Sequence, residues 1–187
     1  MTVLPDSGTY QTPAMSIFRR KREPLGTAPV PPAAGVFRIR QLRLYQPDDE
    51  LAVRLPDGVG ELVAYVQTLT WTCNEYLSRL RQDFAPMGIL IVVGVRPSRR
   101  VRLWCEQVGG TIPDDIWATL TELLDGAGSA VRPQVTAPVA FAIEGLVGDG
   151  PATGFPEAPG AWLDAARLAS DESVGIPDEM FDLVFAD

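Results

Sequence analysis

Apolar residues recur along this chain with two periods, and the switches between them predict its elements. From Val36 to Tyr45, in VFRIRQLRLY, Phe37 and Ile39 share one phase of a strand, and Leu42 and Leu44 share the other. A bulge near Arg40 and Gln41 would bring all four to one face. From Val59 to Phe84 the step lengthens to three or four. Val59, Leu62, Val66, Leu69, Cys73, Leu77, Leu80 and Phe84 form one apolar stripe of a helix, which Pro86 and Gly88 should close.

Ile89 to Val95 is a continuous apolar run of strand length. Val101 to Val108 alternates, with Val101, Leu103 and Cys105 opposite Arg102, Trp104 and Glu106. With RPSRR between them, the two runs predict a β-hairpin with a longer loop. TIPDDIWATLTELLDG predicts a second helix. Pro113 suits its first turn, Asp114 and Asp115 complement its dipole, and Gly126 is its expected stop. VTAPVAFAIEG predicts a last strand. Pro138 lacks an amide hydrogen, so this strand is expected at a sheet edge.

The resulting order, β-α-β-β-α-β, is that of a ferredoxin-like split βαβ. The expectation is therefore an α+β two-layer sandwich over residues 36–146, with the fourth strand at an edge. Residues 1–35 carry FRRKRE and then the proline-rich PLGTAPVPPAAG, which predicts an extended N-terminal arm. Residues 147–187 change character again. LVGDGPATGFPEAPG reads as a flexible connector, AWLDAARLAS as a short helix, and IPDEMFDLVFAD as an acidic and apolar C-terminal segment.

Charge alters this picture at one place. The chain of 187 residues has a formal net charge of −8, yet Arg96, Arg99, Arg100 and Arg102 crowd one hairpin turn. Guanidinium groups pair bidentately with phosphate or carboxylate, so these four are the candidate site for an acidic partner or an anion. The other reading is that they keep an apolar hairpin soluble. The C-terminal segment offers a second candidate. Met180, Phe181, Val184 and Phe185 are too apolar for a free tail, and Phe181, Val184 and Phe185 share a face of a helix begun at Pro177. They are expected to dock, either on their own domain beside Trp162 or in a partner's groove.

What is missing narrows the chemistry. The chain has no histidine and two cysteines. Catalytic systems built on Ser-His or Cys-His are thereby removed, along with the commonest metal ligand and any zinc-finger spacing. GDGPATG does not match a phosphate-binding loop, and no calcium-loop spacing occurs. No catalytic residue, metal or cofactor is therefore expected. No apolar run approaches the ~20 residues of a membrane-spanning helix. The first residues have no basic region followed by an apolar one, so a cytoplasmic protein is expected. A sequence pI near 4.6 argues against nucleic acid as a partner. These readings point to a non-catalytic protein-binding protein, of an immunity or inhibitor type or a subunit of a larger bacterial assembly. The alternative is an anion-binding or regulatory domain using the hairpin arginines.

Overall fold

A computed structural model describes residues 36–168 and 178–185. The expected arm of residues 1–35 lies outside them. The elements run β1 (Phe37–Leu44), α1 (Asp48–Arg54), α2 (Gly60–Arg79), β2 (Met87–Arg96), β3 (Arg100–Val108), α3 (Asp114–Ala130), β4 (Val139–Val147), α4 (Gly160–Leu168) and α5 (Asp178–Val184). The fold is α+β, built on a four-stranded antiparallel sheet in the order β1-β4-β2-β3.

That order corrects the expectation of an edge position for β4, which pairs on both sides. Pro138 is tolerated because it precedes Val139, the first ladder residue. Strand chemistry explains the placement. Val139, Phe141 and Ile143 are apolar on one face of β4, and Ala140 and Ala142 on the other, and all five are buried. A strand apolar on both faces belongs inside a sheet covered on both sides. β1 carries Arg38, Arg40 and Arg43 and suits an edge. Its register shifts between Ile39 and Gln41, where the bulge was expected. Past the shift, Leu42 and Leu44 lie opposite Ile143 and Phe141, on the same face as Phe37 and Ile39.

The sheet is covered on both faces, so the expected two-layer sandwich is also corrected. On one face Ile89, Ile91, Val93, Phe141 and Ile143 meet Leu69, Cys73 and Leu77 of α2 and Leu120 and Leu124 of α3. On the other, Leu90, Val92, Ala140 and Ala142 meet Trp162 of α4 and Met180, Phe181, Val184 and Phe185 of the C-terminal segment. This second face is shallow because its sheet residues are small. An added Cβ at Gly94 would lie 2.9 Å from the Phe185 ring, so the aromatic packs where a side chain would otherwise stand.

Four features differ from the sequence expectation. α1 forms where a loop was expected; seven residues with one buried side chain, Leu51, are too few to show a period. α2 ends at Arg79 rather than Phe84. Leu80 and Arg81 donate backbone bonds to Leu77 and Ser78, which tightens the last turn, and Arg81 turns left-handed at φ 49°. Val59 precedes α2 and is 63% exposed, so it does not belong to the buried stripe. α3 runs through Gly126 to Ala130, because Gly128 allows close approach to α2; a Cβ there would sit 2.4 Å from the Tyr65 Oη.

Candidate functional site

The hairpin arginines do not converge on one point. The turn between β2 and β3 is a single 3-10 turn, Pro97–Arg99, with Ser98 and Arg99 at φ 68° and 58°. Left-handed backbone at two successive residues tightens the bend, and the flanking Arg96 and Arg102 both turn to α5 while Arg99 does not. Arg96 turns to α5, where its Nη2 lies 2.5 Å from Asp182 Oδ1 and its guanidinium stands 5.5 Å from the Phe185 ring centroid. Arg102 donates to the Val184 carbonyl at 2.9 Å and lies over Trp104 at 5.5 Å. A cation bonded to the last carbonyls of a helix also complements its dipole. Arg99 donates to Gln134 Oε1 at 3.2 Å, and Arg99 and Arg100 are exposed at the tip.

Arg96 and Arg102 therefore act on the other candidate group. Met180, Phe181, Val184 and Phe185 are buried on the second face of the sheet. Phe181 packs edge-on to Trp162 at 5.8 Å, and Trp104 packs edge-on to Trp162 at 5.1 Å and to Phe185 at 5.7 Å. Such ring pairs add about 0.5–1.5 kcal/mol beyond area burial. The side chains of Ala166 and Leu168 lie outside the described residues.

The sequence raises Arg38, Arg40 and Arg43 of β1 as a possible extension of the basic zone without fixing the sheet face they reach, and it does not reveal their partner. Glu144 on β4 is buried, and both Arg40 and Arg43 reach its carboxylate, Arg40 at 3.0 Å. The bulge makes this possible, since it returns Arg43 to the face on which Glu144 points. Arg43 also donates to the carbonyls of Pro156 and Glu157, and Arg38 donates to that of Gly148 at 2.9 Å. Phe155 covers Gly88, where a Cβ would meet its ring at 2.4 Å. The connector, expected to be flexible, is thus bonded across the second face. The readable signal was three arginines beside a strand bulge, on the same sheet as a glutamate in the apolar run VAFAIEG.

Two further surface features lie outside these clusters. The first is on α2. Val63 is 46% exposed and Trp71 is 65% exposed, and with Val59 they follow spacings of four and eight along one side. Asp57, Glu61 and Glu75 lie beside them in sequence. A tryptophan this exposed was readable as an apolar residue outside the buried stripe. The second surface is a shallow depression between α3 and β3, lined by Leu103, Cys105, Ala118, Thr121, Glu122 and Asp125.

The surroundings of both cysteines favour the protonated thiol. Burial pushes the Cys73 thiol up, and burial together with Asp125 pushes Cys105 up to about 12. Both are free cysteines. Among the described residues no group of three His, Cys, Asp or Glu side chains is placed to hold a metal ion. No described helix is long and apolar enough to cross a membrane.

Comparison with protein-family models, with curated proteins and with solved structures finds no significant match to this chain.

Proposed function

We propose that this is a non-catalytic binding protein that takes a basic protein partner on the outer side of α2. The observation that carries the reading is the exposed series Val59, Val63 and Trp71. Exposed tryptophan is among the residues enriched at the energetic centre of protein interfaces. The acidic rim and the net charge of −8 favour a basic surface opposite, with long-range attraction speeding the encounter. Inhibitor or immunity proteins and subunits of larger assemblies both fit this description. Free cysteines, one of them fully buried, support a reducing compartment, and so a cytoplasmic one.

The test is isolation of the native complex from producing cells, followed by affinity measurement with the purified partner. Trp71→Ala should weaken binding by about thirtyfold, the effect of removing a 2 kcal/mol hot spot. Binding should also weaken as salt is raised. Unchanged affinity for Trp71→Ala would remove α2 as the interface.

A further inference from the structure

The sheet has two edges, and they are protected differently. The β1 edge is broken by its bulge, and Asn74 Oδ1 accepts the Phe37 amide at 2.8 Å. β3 is nine residues long, regular in register and free of proline, and among the described residues it is hydrogen-bonded on one side only, to β2. An edge of this kind is a template for another strand.

Chemistry beside that edge is specific. α3 flanks β3 and carries Asp114, Asp115, Glu122 and Asp125 with no basic residue. Leu103, Cys105 and Ala118 give the depression between them an apolar floor. A strand that fits here needs a large apolar residue followed at alternate positions by cations.

The chain contains such a segment. In Ile17-Phe18-Arg19-Arg20-Lys21-Arg22 an extended backbone would put Phe18, Arg20 and Arg22 on one face, with Arg19 and Lys21 on the other. It also has the reach. The residues between Arg22 and Val36 extend to about 40 Å at roughly 3.1–3.3 Å each. A strand added beyond β3 stands four strand spacings from β1, about 19 Å. β1 begins at the end of the sheet where β3 finishes, since Phe37 lies opposite Val147, Val147 opposite Met87, and the next residue, Gly88, opposite Val108. The segment therefore arrives at the Val108 end and runs parallel to β3.

We propose that residues 17–22 of this chain add as a fifth strand to the free edge of β3, with Phe18 in the depression and Arg20 and Arg22 along the acidic side of α3. With Phe18 beside Leu103, Arg19 lies next to Trp104, and Lys21 next to Glu106. The proposal is independent of the α2 interface, which uses different residues.

The test is amide hydrogen exchange by NMR on the full chain, with light scattering for mass. Alternate β3 amides bond to β2 and serve as the folding control; those between them point outward. The outward set should be protected in the wild type and exchange at least about tenfold faster in R19E/R20E/R22E. The same should follow for E122R/D125R, and the combined five-site charge swap should restore protection. The protein should be monomeric throughout. Outward amides that exchange equally fast in wild type and R19E/R20E/R22E overturn the proposal without recourse to the α3 variant, should that one unfold. Protection that appears only in a dimer makes a second copy the occupant and overturns it too.

Discussion

Replacing Phe181 with alanine measures how firmly the C-terminal segment closes the sheet. Phe181 is fully buried, with Trp162 edge-on at 5.8 Å and Phe185 at 6.1 Å. Emptying a buried phenylalanine site costs about 3–5 kcal/mol, the upper part of that range applying where neighbours cannot collapse inward. Here they are rings standing on a sheet of small residues, Ala140, Ala142 and Gly94, and relaxation is restricted. At about 2–4 °C per kcal/mol for a chain of this size, the melting temperature should fall by roughly 6–20 °C. The control lies two residues on. Leu183 is 45% exposed on the same helix, and L183A should cost no more than about 0.5 kcal/mol. Thermal melts of the purified protein followed by circular dichroism give the stability. Tryptophan emission should shift to the red only for F181A, because water then reaches Trp162. Equal effects of F181A and L183A, or a fall below about 2 °C for F181A, would refute docking on the chain's own sheet.

The other expectations concern the first core, the hairpin tip and alkaline pH. L69A empties a fully buried site on α2 and should cost about 2–5 kcal/mol in urea unfolding. R99E/R100E should leave the melting temperature within about 2 °C of wild type, since both residues are exposed; a variant that fails to fold would give the tip a structural role. Tyr65 and Cys73 are fully buried, and burial raises both from ordinary values of 10.0 and 9.0. The unfolded chain releases these protons first as pH rises, so the native state binds more of them above about pH 9. Stability is complete below that pH and should decline above it, by about 1.4 kcal/mol per pH unit for each group once it ionises in the unfolded chain. Urea midpoints that stay flat from pH 8 to 11 would contradict this.

Much of the fold was legible because period is a local property. The bulge in β1 was readable from a phase change between Ile39 and Leu42, and the α2 core from Leu62, Val66, Leu69, Cys73 and Leu77. The sheet order was misread by giving Pro138 more weight than its position warranted. A proline one residue outside a ladder removes no ladder bond, while the two-sided apolar pattern of VAFAI states directly that β4 is internal. The second layer was legible as composition: the C-terminal segment was too apolar to be free. Its partner face was not, because Gly88, Gly94, Ala140 and Ala142 gain meaning only when strand register aligns them. The roles of Arg96 and Arg102 were hidden for the same reason, since Asp182 and the Val184 carbonyl are more than eighty residues away along the chain.

The central structural claim is that the C-terminal helix is clamped on the second sheet face by Trp162, Trp104 and two of the hairpin arginines. Nuclear Overhauser contacts in the full-length protein test it directly. Cross-peaks are expected from the Phe181 and Phe185 ring protons to the indole rings of Trp162 and Trp104, with the Val184 methyls shifted upfield by those rings. Random-coil shifts for Val184, together with no ring-to-indole contact at either phenylalanine, would contradict it.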